Sequence, residues 1–350
     1  MKFAQTIGSI HTKDALRSLV DEDNMPHALL LSGAEGNSKL ALALAYTTYL
    51  MCENRANGAS CGSCRSCIKM EKYIHPDVHF SFPFTGAKSV ADEFIKPWRK
   101  FIQEKPYAGI SDWMEYLDAP TKQPNINTKE CKAIIQKLNM QSFESTNKVL
   151  IMWLPEYLRK EGNRLLKIIE EPTPNTYFIL ITEKISNILP TIISRCQLVK
   201  VPPLQDKEIK EALMGQYRFN ASKAQNAAFV AEGNMQKALD IVQIGGKGLH
   251  DEVLVWFRTC YSQKTIDLVN WVDNFDRKSK DEQKSFLMYA LNFFREIARV
   301  PVLPEKALRI EESEIQTAKK IAGIINFEKI EKLNNILTDT IYYIERNANI

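Results

Sequence analysis

Two runs in the middle of the chain, Lys148 to Trp153 (KVLIMW) and Tyr177 to Thr182 (YFILIT), are apolar almost without interruption, and helical patterns lie between and around them. A strand with one face in water alternates polar with apolar residues, whereas a strand that is apolar throughout has both faces covered. Such strands in regular alternation with helices predict a parallel sheet with helices on both faces. The alternation extends in both directions. Ala28 to Leu31 and Val78 to Phe82 read as strands, and Gln197 to Val201 as a last one. Helices are expected over about Thr128 to Met140, Glu156 to Glu170 and Ile188 to Ser194, and residues 3 to 24 read as an amphipathic helix with flanks, its apolar positions being Ile7, Ile10, Leu16, Leu19 and Val20.

From about Asp206 the strands stop. Helical patterns follow at Asp206 to Tyr217, Ala221 to Ala231 and Met235 to Val242, with Gly233 as a break and Gly245-Gly246 as a candidate boundary. Roughly Leu249 to Asn347 reads as helical throughout, with Pro301 and Pro304 marking a turn and Leu287, Tyr289, Leu291, Phe293 and Phe294 as bundle core. A chain of 350 residues is long enough for two or three domains. The expected division is an α/β domain over 1–204, a small helical domain over 205–246 and an all-α domain over 247–350. Residues 83 to 124 interrupt the first of these. They are rich in aromatics and turn formers (Trp98, Phe101, Tyr107, Trp113, Tyr116, Pro120, Pro124) and read as an insertion of one or two short helices whose aromatics pack against the core rather than mark a partner surface.

Composition excludes little. With 46 basic and 42 acidic residues the net charge is +4, which does not single out a nucleic-acid binder. No run is long enough to cross a bilayer and the start has no signal-peptide core, so the chain is read as cytoplasmic. In a reducing compartment clustered cysteines point to metal rather than disulfides. Four of the seven cysteines are clustered, Cys52 and then Cys61-Gly-Ser-Cys64-Arg-Ser-Cys67, while Cys131, Cys196 and Cys260 stand alone. Two-residue spacers let successive thiolates converge on one ion, and Cys52 completes a closed tetrahedral set suited to structural Zn²⁺. Such a set leaves no open position for zinc catalysis, and His75 and His79 read as ordinary structural or surface histidines.

The stretch Pro26 to Leu50 has the strand, turn and helix context of a phosphate-binding loop. Against G-x-x-x-x-G-K-[ST], Gly33 and Lys39 match and Gly36 lies between them, but Ser38 replaces the second glycine and Leu40 the Mg²⁺-binding hydroxyl. A leucine side chain cannot ligate a cation that takes only oxygen. Magnesium-dependent hydrolysis is therefore not expected here, and the bare residues read as an ordinary strand-to-helix turn rather than an ATP site.

Several separated segments resemble one family. PHALLLSGAEGNSK (26–39), the four-cysteine insert, HPDV (75–78), NRLLKIIEEPTPNTYFILIT (163–182) and LPTIISRCQLV (189–199) are similar to bacterial clamp-loader AAA+ subunits, over residues 1 to about 245. The resemblance implies an AAA+ α/β core, a helical lid and a C-terminal collar that assembles a ring. In ATP-hydrolysing members the strand here ending at Trp153 ends in Asp-Glu, but these positions read Trp153 and Leu154, and Glu156 comes two places too late. Thr182 falls on the family's sensor position, and Gln236 replaces the lid's sensor arginine. Ser194-Arg195-Cys196 survives intact. In the family its arginine reaches the γ-phosphate of ATP held by the neighbouring subunit; the plainer reading of Arg195 is a cation at the C-terminus of the preceding helix.

The implied role is a non-hydrolysing subunit, with Zn²⁺ as structural cofactor and no ATP binding expected of its own. It completes a ring with ATP-hydrolysing and clamp-opening subunits that loads the sliding clamp onto primed DNA. Two alternatives stand beside it. One is an active, gamma/tau-like AAA+ ATPase subunit with an atypical loop, using Glu156 or Glu183 with Lys39. The other, a zinc-module DNA-binding protein, is disfavoured by the near-balanced charge and by a four-thiolate site without a recognition-helix pattern. DNA contact within a complex stays open at Arg164 and Lys167, whose default reading is a solvated face.

Overall fold

The structure is a computed structural model and describes residues 1–244, 248–310 and 312–345. They fall into two compact units, Met1–Glu208 with Gly233–Gln236, and Ile209–Glu232 with the residues from Lys237 on.

In the first unit five strands form one sheet, all pairs parallel: β1 (Ala28–Ser32), β2 (Val78–Ser81), β3 (Lys148–Trp153), β4 (Thr176–Thr182) and β5 (Gln197–Lys200), in the order β2-β3-β4-β1-β5. Register brings Leu30 opposite Leu180 on one side and Leu198 on the other. Because side chains alternate across a strand, each apolar run feeds two cores. Leu29, Leu31, Val149, Ile151, Ile179 and Ile181 share one with the helix Lys39–Leu50, while Leu30, Leu150, Met152, Phe178 and Leu180 share the other with the helix Thr128–Asn139. Every residue of Lys39–Leu50 is buried, as its alanine- and leucine-rich sequence allows.

The insertion folds onto the end of β3. A short turn and two helices, Ile95–Glu104 and Ile110–Tyr116, surround Trp153 with Trp98 (ring centroids 5.1 Å) and Phe101 (6.3 Å), and Trp113 closes on Trp98 at 5.1 Å. Trp98, Phe101 and Trp113 are fully buried, and the Trp113 indole N–H donates to the Pro83 carbonyl at 2.7 Å. These aromatics are core, as the sequence suggested.

Two expected helices are shorter than their apolar patterns. Residues 3 to 24 split into a turn, Phe3–Gln5, and a helix, Ile10–Asp21, because Gly8 (φ 62°) and Ser9 (φ 57°) are both left-handed. Leu16 and Val20 are buried, but Ile10, in the first turn, is 56% exposed. The helix expected over Glu156 to Glu170 is a tight 3-10 run, Pro155–Leu165, broken at Arg159 (φ 49°, ψ −132°), then a single α segment, Leu166–Glu170. Gly162 sets the approach of this segment to its neighbour, since a Cβ there would lie 2.9 Å from the Ile192 Cδ1.

In the second unit the helices Leu249–Ser262, Thr265–Asp276, Lys280–Arg299, Glu312–Ala322 and Phe327–Glu345 pack around Phe286, Leu287, Phe293, Phe294 and Ile297. Tyr289 is buried with this group and Leu291 is half-buried. The expected boundary at Gly245-Gly246 and the end at Asn347 lie outside the described residues. Among the described residues no helix is long and apolar enough to cross a membrane.

Trp153, the last residue of β3, is 1% exposed. Truncating a buried tryptophan of this kind costs about 3–5 kcal/mol. Trp153→Ala is therefore expected to lower the urea midpoint of the first unit's unfolding; an unchanged midpoint would place Trp153 outside the core.

Candidate functional site

The carboxyl edge of an open parallel sheet is where α/β folds bind ligands. Here β1 and β4 end side by side, Ser32 opposite Thr182, and the loop Gly33 to Ser38 leaves β1 toward the helix Lys39–Leu50. The loop is closed by its own atoms. The Gly33 N–H donates to the Thr182 carbonyl at 3.2 Å. The Asn37 side chain folds across the loop, donating through Nδ2 to the Val201 carbonyl (2.9 Å) and accepting the Lys39 backbone N–H at Oδ1 (3.1 Å). At Gly36 φ is +73°, and an added Cβ would fall 1.9 Å from the Asn234 Oδ1. The Met235 N–H donates to the Gly36 carbonyl at 2.8 Å, which ties the loop to the turn before Met235.

Lys39 is only 3% exposed. Its Nζ donates to the Ala34 carbonyl at 2.7 Å and lies 3.4 Å from the Glu183 Oε1. Burial pulls its pKa down and Glu183 pulls it back; burial also raises the Glu183 carboxyl, against the attraction of Lys39. Glu156 Oε1 accepts the Glu183 N–H (3.0 Å) and the Lys184 N–H (3.3 Å), so it holds the turn after β4. Thr182 is fully buried, and its Oγ1 accepts the Lys184 N–H at 3.2 Å. Ser38 Oγ donates to the Ile7 carbonyl at 2.5 Å, and Leu40 is in the core at 2% exposure. Trp153 and Leu154 end β3 in the same core, with Leu154 left-handed at φ 56°. Gln236 is buried.

Ser194, Arg195 and Cys196 follow the short helix Pro190–Ile193, whose Ile192 is fully buried. Burial pushes the Cys196 thiol up to about 11. Arg195 is 29% exposed in its side chain and held on two sides. Nε and Nη2 donate to the same Glu170 oxygen, Oε2, at 2.9 and 2.8 Å, and Nη1 donates to the Thr191 carbonyl at 3.0 Å. The contact with Thr191 is the helix-end role that the residue type allows by itself. The sequence assigns Glu170 no role, because nothing local joins it to a residue 25 positions later.

The Sγ atoms of Cys52, Cys61, Cys64 and Cys67 all lie within 4.8 Å of one another. Bonds of about 2.3 Å in a tetrahedron put sulfurs about 3.8 Å apart, and Cys61 and Cys67 are 3.9 Å apart, so the four can close on one ion. Backbone N–H groups already point at the sulfurs: Cys61 N–H to Cys52 (3.2 Å), Cys64 N–H to Cys61 (3.3 Å) and Cys67 N–H to Cys64 (3.4 Å). The Cys64 N–H is the main cause that holds the Cys61 thiol down at about 6. Gly62, at φ +78°, makes the turn between Cys61 and Cys64. His75 is outside this set; it is buried, with Nε2 3.3 Å from Ser66 Oγ and Nδ1 accepting the Asp77 N–H at 3.2 Å.

A family model described as "DNA polymerase III, delta subunit" matches residues 9–205. The chain is similar to the DNA polymerase III subunit delta' of Bacillus subtilis, 29% identical over 202 residues that span 57% of this chain and 50% of that protein. It is similar to the same subunit of Yersinia pestis, 31% identical over 173 residues, 49% of this chain and 40% of that one. The DNA polymerase III subunit gamma of Buchnera aphidicola is 24% identical over 246 residues, 69% of this chain and 58% of that protein. The chain thus spans about half the length of the curated relatives it matches.

Thiolate sites of this kind contribute directly to folding. Elemental analysis of protein purified without chelator is expected to give about one zinc per chain, and chelation is expected to lower the melting temperature. Metal-free protein that melts unchanged would contradict a structural centre at these cysteines.

Proposed function

The chain belongs to the DNA polymerase III delta-subunit family, and from that membership we propose that it is a non-hydrolysing clamp-loader subunit that presents Arg195 to a nucleotide held by a neighbouring subunit. The observation that carries the reading is the commitment of Lys39. In a working phosphate loop this amine is free to meet the β- and γ-phosphates. Here it is buried against the Ala34 carbonyl and Glu183, behind a loop already bridged by Asn37. The residues around it do not fit a magnesium-bound nucleotide, for Leu40 packs in the core and Trp153 and Leu154 bring no carboxylate to the end of β3.

The family supplies the rest of the reading. The first unit is the AAA+ core, and the expected lid (205–246) and collar (247–350) are assigned to closing and assembling a ring. Its partners are ATP-hydrolysing gamma/tau-like subunits and a clamp-opening delta-like subunit, and through the ring the sliding clamp and primed DNA. Zn²⁺ on Cys52, Cys61, Cys64 and Cys67 is structural. Arg195 keeps a partly exposed guanidinium in the turn just before β5, and arginine's fixed, permanently charged fork suits a transferring phosphoryl group. The gamma/tau-like alternative needs Glu156 or Glu183 as a catalytic carboxylate. Glu156 holds two backbone N–H groups through Oε1 and its Oε2 is buried, while Glu183 is paired with the buried Lys39.

A trans-acting arginine contributes about 10³- to 10⁵-fold to hydrolysis in nucleotidases where it has been measured. In a complex reconstituted with its ring partners, Arg195→Ala is expected to leave assembly intact by gel filtration and to lower ATP turnover sharply, with only sites that Arg195 does not serve still active. Unchanged turnover in a fully assembled complex would overturn the assignment.

A further inference from the structure

We propose that Glu170 is a positioning residue for Arg195: it holds the guanidinium in one orientation from which its remaining Nη2 donor meets a phosphate on a neighbouring subunit. The inference rests on the reading of Arg195 above and adds a residue to it.

A guanidinium has five N–H donors in a rigid plane. One edge, Nε with Nη2, is taken by a single oxygen of Glu170, and Nη1 is turned to the Thr191 carbonyl. Three donors are therefore spent inside the chain, which fixes both the plane of the group and its direction. Nη1 donates again to Ser194 Oγ at 3.4 Å, which leaves the second N–H of Nη2 without a recorded acceptor among the described residues. That Nη2 N–H, on a permanently charged group, is the donor left for a phosphate.

Both ends of the contact are anchored. Glu170 closes the segment Leu166–Glu170, whose Ile168 and Ile169 are buried, and Arg195 follows Ile192, which is 1% exposed. The ion pair itself stands at the surface, with side-chain exposures of 29% for Arg195 and 55% for Glu170. A pair so exposed contributes little to stability. Its geometric effect is larger, because an arginine left to itself spreads over many rotamers and a reacting group must be held in one. The bare side chain of a free finger would have to be ordered at each encounter, whereas one held by Glu170 and Thr191 is ordered beforehand.

The test is a mutant cycle in the reconstituted complex, with kcat and KM for ATP measured separately. Glu170→Ala is expected to lower kcat by about three- to tenfold with little change in KM, and Glu170→Gln, which keeps an acceptor oxygen, to recover part of the loss. The double variant Glu170→Ala/Arg195→Ala is expected to be no slower than Arg195→Ala alone, and melting temperatures are expected to stay close to that of the unchanged chain. Unchanged kcat in Glu170→Ala, while Arg195→Ala is impaired, would overturn the role of Glu170 and leave that of Arg195 standing. A further loss from Glu170→Ala on top of Arg195→Ala would overturn it as well, since the residue would then act elsewhere. Full activity in Arg195→Ala would instead remove the reading on which the inference rests.

Discussion

A lysine amine that is 3% exposed must find its partners inside the protein, because an ammonium taken out of water without compensation costs several kcal/mol. Lys39 finds them in the Ala34 carbonyl and Glu183, and much of the surrounding structure follows from that choice. Glu183 must be brought up to the loop, so the turn after β4 is pinned by Glu156. The loop must stay closed over the amine, so Asn37 bridges it to the chain leaving β5 and Gly36 accepts a close approach from Asn234. The side chain that the fold ordinarily presents to a ligand has become part of the protein's interior.

With the loop turned inward, the chemistry that remains faces outward. Arg195 follows a short helix whose Ile192 is buried, and its guanidinium is held by Glu170 and Thr191. The four-cysteine cluster and the aromatic insertion each gather a local stretch of chain. The first gathers four sulfurs where the chain has little apolar material, and the second fills the end of β3 with tryptophan and phenylalanine where a catalytic strand end would be polar. A subunit that does no hydrolysis itself can still be required for it if what it contributes is a rigid, correctly aimed charge.

The sheet was legible in the sequence for a physical reason. A strand covered on both faces writes its burial into every consecutive residue, and Lys148 to Trp153 was found to the residue. The cysteine cluster was legible because its short spacers keep the sulfurs close together, within 4.8 Å of one another in the structure. What the sequence concealed was long-range or conformational. Glu183 and Asn234 close the loop from positions far along the chain, and the Glu170 to Arg195 contact spans 25 residues. The break at Arg159, with φ 49°, escaped because the residue types around it are compatible with a continuous helix. Ile10 was expected on the buried side because it fits the apolar period; Gly8 and Ser9 turn the chain just before it and leave it in water.

The central claim is that the loop after β1 is closed to nucleotide, and the most direct test is binding of ATP with magnesium to the purified chain alone, by calorimetry or with a fluorescent ATP analogue. The account predicts no saturable binding. Saturable, stoichiometric binding that is lost in Lys39→Ala would contradict it, for the amine would then have to leave Glu183 and Ala34 to meet a phosphate.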